Sequence, residues 1–164
     1  MCANYKIMKR SMFMEKGGQI YFDEPSYEEA LIGETDDGKV VYDYYGMIES
    51  LMKNEGMSDE DAFDFISYNT IRFAPYLKDR APLVVDQSYA TDLDGLKENC
   101  EQEVRYPEAV LGLDLVQTKV VYDYDKLLGV VEKENDWNED TARDYIIETL
   151  IEEGLVVVFV DQQN

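Results

Sequence analysis

One hexapeptide occurs twice in this chain. Lys39-Val40-Val41-Tyr42-Asp43-Tyr44 returns unchanged as Lys119-Val120-Val121-Tyr122-Asp123-Tyr124, 80 positions later. The match extends beyond it at the same offset. Met47, Ile48 and Leu51 align with Leu127, Leu128 and Val131, Met57 with Trp137, and Ser58-Asp59-Glu60 with Asn138-Glu139-Asp140. Ala62, Asp64, Phe65 and Ile66 align with Ala142, Asp144, Tyr145 and Ile146. Upstream, Glu29-Ala30 and Gly33 align with Glu108-Ala109 and Gly112 at an offset of 79, so the turn between differs by one residue. Two divergent copies of a unit of roughly 55–60 residues must fold as two related lobes or as one body assembled from both.

Each copy reads as β-β-α-α-β. Ala30-Leu31-Ile32-Gly33 is a short apolar run, and Asp36-Asp37-Gly38 is a hairpin turn signal before a second β-favouring run, Lys39–Tyr42. Asp43 then caps a helix whose apolar stripe is Met47, Ile48, Leu51 and Met52, and Gly56 ends it. Ser58 caps a second helix with stripe Ala62, Phe65 and Ile66, flanked by Phe63 or Ile71, and Pro75 lies beyond its end. Copy two repeats this with Asp123 and Asn138 as caps, stripes Leu127/Leu128/Val131 and Ala142/Tyr145/Ile146/Thr149/Leu150, and Gly154 as a stop. Leu155–Val160 closes it as a buried strand, with Pro82-Leu83-Val84-Val85 as the counterpart in copy one. The expected fold is therefore α+β, two tandem divergent β-β-α-α-β repeats packed pseudo-symmetrically. Whether they share one sheet stays open, because a single unit would leave a sheet face or edge exposed.

Four segments follow. Residues 1–25 form an N-terminal extension in which Lys16-Gly17-Gly18 reads as a hairpin turn between Met12-Phe13-Met14 and Ile20-Tyr21-Phe22. Repeat one spans 26–85 and repeat two 106–164. Residues 86–105, rich in acidic and amide side chains, form a linker with a short helix near Leu93–Glu101.

Charge narrows the function classes. The 36 acidic and 15 basic residues leave a net charge of −21. Such a chain is repelled by phosphate backbones and by anionic membrane surfaces, so the expected partners are basic protein surfaces, with neither nucleic acid nor membrane bound directly. Acidity serving solubility alone is the plain alternative. No run approaches the apolar length of a membrane helix, and Lys6, Lys9, Arg10 and Lys16 precede no apolar stretch of a signal peptide. Cys2 and Cys100 form neither a disulfide framework nor a metal cluster, so a cytoplasmic setting is expected.

Catalytic patterns are absent. There is no histidine, the commonest general base and metal ligand, and Gly17-Gly18 has no P-loop or Rossmann spacing around it. No Gly-x-Ser-x-Gly elbow occurs. The expectation is a non-enzymatic protein without cofactor or metal. Asp36 and Asp37 lack the remaining ligands of a calcium loop. Asp59, Glu60 and Asp61 suit a helix first turn better than a cation site. Recurring Tyr42/Tyr122 and Tyr44/Tyr124 alternate along a strand and into a helix start, so one of each pair faces the core, and Trp137 reads as a plug between two helices, with an interface anchor as the alternative. A small-molecule site among the Tyr and Trp residues is a lesser alternative.

The segments Val-Val-Tyr-Asp-Tyr, Met-Ile-Glu-Ser-Leu-Met, Glu-Gly-Met-Ser-Asp-Glu-Asp-Ala and Tyr-Asn-Thr-Ile-Arg-Phe-Ala-Pro-Tyr, within residues 39–76, resemble a set of small acidic repeat proteins of bacteriophages and prophages. Copy two departs from it where Tyr68-Asn69-Thr70-Ile71-Arg72 becomes Glu148-Thr149-Leu150-Ile151-Glu152. That set brings no activity with it. The resemblance implies a phage-like context in a bacterial host cell. By class analogy with anti-CRISPR inhibitors, the expected function is binding to a basic, nucleic-acid-binding surface of a host defence protein such as a CRISPR nuclease. The candidate contacts are Asp59, Glu60, Asp61 and Asp64 in copy one, and Glu132, Glu134, Asp136, Glu139 and Asp140 in copy two. The alternative is a phage structural or adaptor protein. Oligomeric state and partner identity are not legible.

Overall fold

The computed structural model describes residues 13–23 and 25–161. Met12, Cys2, Lys6, Lys9 and Arg10 lie outside them. Strands β1 (Phe13–Lys16) and β2 (Gln19–Phe22) form the expected hairpin, with Gly17 and Gly18 at positive φ in its turn. Then come β3 (Leu31–Thr35), β4 (Val40–Asp43), α1 (Tyr44–Glu55), α2 (Asp59–Ile66) and β5 (Leu83–Asp86). After a short helix α3 (Leu93–Asn99) the order resumes with β6 (Val110–Asp114), β7 (Lys119–Asp123), α4 (Tyr124–Asn135), α5 (Glu139–Tyr145) and β8 (Val156–Val160).

Strands β3 to β8 close into one six-stranded barrel in sequence order, with β8 pairing back onto β3. The β3/β4 and β6/β7 pairs are antiparallel hairpins. The β4/β5 and β7/β8 pairs are parallel, which requires a crossover, and α1–α2 and α4–α5 supply it. Antiparallel β5/β6 and β8/β3 close the ring. Closure leaves no free strand edge in the barrel, which answers the question the sequence left open. Cross-strand partners recur: Val41 faces Leu83 and Val121 faces Val156, while Val85 faces Asp114 and Val158 faces Thr35.

Strand alternation divides the apolar residues among three cores. Val41, Leu83, Val85, Leu111, Val121 and Val158 point inward and fill the barrel. Val40, Tyr42 and Val84 point outward and meet Met47, Leu51, Ala62, Phe65 and Ile66 of α1 and α2. Val110, Val120, Tyr122 and Val157 meet Leu127, Val131, Ala142 and Ile146 on the other half of the wall. The segments before each copy add Phe22 and Leu96 to these outer cores. The Tyr42 hydroxyl accepts from Phe22 N and the Tyr122 hydroxyl from Arg105 N, both at 3.0 Å. Burial of Tyr42 pushes its phenol well above the usual range, so the group stays a neutral hydroxyl.

Helix limits follow local chemistry. Asp43 accepts from Gly46 N at 2.9 Å, and Asp123 from Asp125 N at 2.9 Å. Ser58 and Asn138 accept from Asp61 N and Thr141 N. Gly56 ends α1 in the left-handed region, and Asp136 takes that conformation at the end of α4 (φ 53°). Both second helices run on through a π turn, Ser67–Ile71 and Ile146–Leu150.

Several sequence expectations need correction. Met52 and Phe63, placed on or beside apolar stripes, are exposed by 41% and 50%. Each stripe is narrower than the apolar lettering, because one turn of contact with the barrel is satisfied by Leu51 and Ala62. Trp137 does not plug a gap between helices. It is 36% exposed and lies edge-on against Tyr145, with ring centroids 5.3 Å apart. Residues 86–105 are more than a linker: Asp86 completes β5, and Leu96 of α3 is fully buried in the second outer core. Copy one is also longer before its last strand, where a 3₁₀ segment, Ala74–Arg80, intervenes.

Candidate partner-binding faces

Asp59, Glu60 and Asp61 form the first turn of α2, behind the Ser58 cap, and Asp64 stands one turn on. Their position complements the helix dipole, which accounts for acidic residues there without any ligand. All four are exposed. In copy two, Glu132 and Glu134 lie in the last turns of α4, Asp136 caps it, and Glu139 and Asp140 open α5. Glu132 is half-buried and the other four are exposed. The structure does not merge the two clusters. Each rides on its own helix pair, and each pair packs on its own outer core.

Compensation within the chain is sparse. Of these nine carboxylates, among the described residues only Asp140 is in an ion pair, with Arg143 at 2.9 Å. Asp59 spends one oxygen on Glu60 N at 2.8 Å. Among the described residues no three His, Cys, Asp or Glu side chains converge to hold a metal ion. Cys100 is half-buried, with its thiol 3.8 Å from the Gln102 carbonyl oxygen.

Two features of the surface escaped the sequence reading. The first is a cleft of about 220 Å³ at one end of the barrel, lined by Thr35, Asp37, Lys39, Asp114 and Leu155 among others. Asp114 is buried there, 3% exposed. Its carboxylate accepts from Val84 N at 3.1 Å, Val116 N at 3.0 Å and Gln117 N at 3.3 Å. Burial pushes its pKa up to about 6, against the pull of those N–H donors and of Lys39. Three backbone bonds make Asp114 a strap between β5 and the β6–β7 turn, whereas its counterpart Thr35 in copy one bonds only within its own turn, accepting from Lys39 N. The second feature is a set of exposed aromatics on the helices of copy one. Tyr45 is 47% exposed, and the buried Tyr44 ring packs against both it and Phe63, with centroids 5.3 and 6.1 Å away.

The molecule is thus a mixed α and β protein built on a closed six-stranded barrel, with acid-rich helices outside it. No family model, no curated protein and no solved structure matches this chain. Among the described residues, no helix is long and apolar enough to cross a membrane.

Proposed function

We propose that this chain is a non-enzymatic acidic protein that binds a basic, nucleic-acid-binding surface of another protein, such as a CRISPR nuclease of a bacterial host, and so inhibits it in the cytoplasm. The observation that supports this reading is the uncompensated charge on fixed helix faces. Eight of the nine carboxylates have no ion-pair partner among the described residues, and the net charge is −21. Helix-borne carboxylates present a row of negative charge to a Lys/Arg channel, and steering raises the association rate. The same reading takes the barrel as two β-β-α-α-β copies packed pseudo-symmetrically, supported by the recurring register at Val41/Leu83 and Val121/Val156. A duplicated unit then offers two acid faces on one rigid body.

Stepwise neutralisation tests this. Changing Asp59, Glu60, Asp61 and Asp64 to Asn or Gln one after another is expected to weaken capture of a guide-RNA nuclease by about two-fold per carboxylate, because exposed charges contribute modestly and separately. Abolition by one change, with no effect from the rest, would point instead to a single catalytic or ligating carboxylate. The reading as a structural or adaptor protein draws on the aromatic exposure, Tyr68 at 62% and Tyr76 at 79%. It predicts a captured partner whose nucleic-acid binding is left intact.

A further inference from the structure

The two helix pairs are a comparison built into one molecule. Helices α1 and α4 are both 12 residues long, and every position of one has a counterpart in the other 80 residues on. Tyr45 corresponds to Asp125, Met52 to Glu132 and Phe63 to Arg143. The same backbone sites that carry exposed apolar side chains in copy one therefore carry charges in copy two. A solvated helix face at these sites has no need of apolar groups. Copy one nonetheless exposes 41–50% of each of three large ones. Tyr45 and Met52 stand seven residues apart on α1, hence on one stripe, and Tyr45 and Phe63 of α2 both pack on the Tyr44 ring.

Acidic groups lie within and beside this patch. Glu49 stands on the stripe between Tyr45 and Met52, and Asp59 and Glu60 open α2 one turn before Phe63. None of the three is in an ion pair among the described residues. Exposed aromatic and apolar anchors next to unpaired charge suit a protein interface. The charge selects the occupant: a second copy would bring −21 against −21, whereas a Lys/Arg-flanked apolar stripe meets both features.

We infer that the α1–α2 face of copy one, centred on Tyr45, Met52 and Phe63, docks a basic amphipathic segment of a partner protein. The inference rests on the reading above that the chain binds basic surfaces. It adds which face binds and what, besides charge, the partner must carry.

The test uses the full chain and two labelled peptides of equal positive charge, a helical Lys/Leu peptide with leucines at helical spacing and an oligolysine. The Lys/Leu peptide is expected to bind the wild-type chain about ten-fold more tightly than oligolysine. The double change Tyr45→Asp and Phe63→Arg installs the residues of copy two without altering net charge. It is expected to remove that ten-fold advantage and leave oligolysine binding unchanged. Thermal unfolding of the double variant checks its fold, and Met52→Glu supplies an independent variant on the same stripe. Neutralising Glu139 and Asp140 should leave the Lys/Leu advantage in place. Equal binding of the two peptides, or an advantage that survives both variants, would overturn the inference while leaving the reading of basic-surface binding standing. No binding of either peptide at low salt would remove both. A wild-type dimer in sedimentation that the double variant abolishes would show that a second copy occupies the face, and would overturn the inference too.

Discussion

Gly33→Ala and Gly112→Ala are each expected to cost about 3 kcal/mol of stability, the upper range for overpacking a closed core. A Cβ on Gly33 would stand 2.2 Å from the Phe159 carbonyl oxygen, and one on Gly112 would stand 2.3 Å from the Asp86 carbonyl oxygen. Both obstacles are backbone, so no side chain can swing aside. Both glycines sit at the register shift of their hairpins, against the strand that joins one half of the barrel to the other. Relief would require β3 to part from β8, or β6 from β5, in a ring that has no edge to yield. For a chain of this size the loss corresponds to a fall of roughly 6–12 °C in the unfolding midpoint. Gly129→Ala, in α4 with nothing near its Cβ, is the matched control and should not destabilise. Calorimetric melts of the three variants decide the matter. A Gly33→Ala midpoint equal to that of Gly129→Ala would contradict the closed barrel.

Asp114 should make the protein less stable as pH rises from about 4 to about 6. Its folded pKa is about 6, against an ordinary value of 3.8. Between those values the unfolded chain releases the proton while the folded chain keeps it, so ionisation favours unfolding. Below this window both forms are protonated, and above it both are ionised. Stability is therefore highest at the acid end and falls to a plateau, by about 3 kcal/mol for a shift of roughly two units. General repulsion among the acidic residues grows as they ionise and lowers stability in the same direction, so the measured quantity is the difference from Asp114→Asn. That variant keeps one carbonyl oxygen for Val84 N and Val116 N and removes the titration. Urea unfolding across this pH range should show the two curves converging as pH falls. Parallel curves would mean that Asp114 is not held protonated by burial.

Much of this scaffold can be read from local chemistry. The hexapeptide repeat, the Asp43 and Asp123 caps, the Gly56 stop and the Gly17-Gly18 turn all depend on neighbours within a few residues, and all stand in the structure. Closure does not, because β5/β6 and β8/β3 join segments whose partners are chosen by global register. Gly33 and Gly112 therefore aligned as a conspicuous pair with no visible reason. The local sequence around Asp114 gives no sign of its role, because only the ring brings Val84 N to it. Local pattern places Met52 on its stripe and leaves Phe63 or Ile71 to flank the next, and of that pair it is Ile71 that packs on the core. Only the packing of α1 and α2 on the barrel separates Leu51 from Met52 and Ala62 from Phe63. The acidic candidates were legible as residues but not as faces: their distribution over two helical layers follows from the barrel.

Binding to a basic partner as a function of salt tests the central claim most directly. The purified chain is immobilised and offered guide-RNA nucleases at about 50 mM and about 500 mM salt, where the screening length shrinks to a few ångströms. The account predicts that a nuclease is retained at low salt, released at high salt, and displaced by competing DNA or RNA. Failure to retain any basic nucleic-acid-binding protein at low salt, or retention that neither salt nor nucleic acid disturbs, would contradict it.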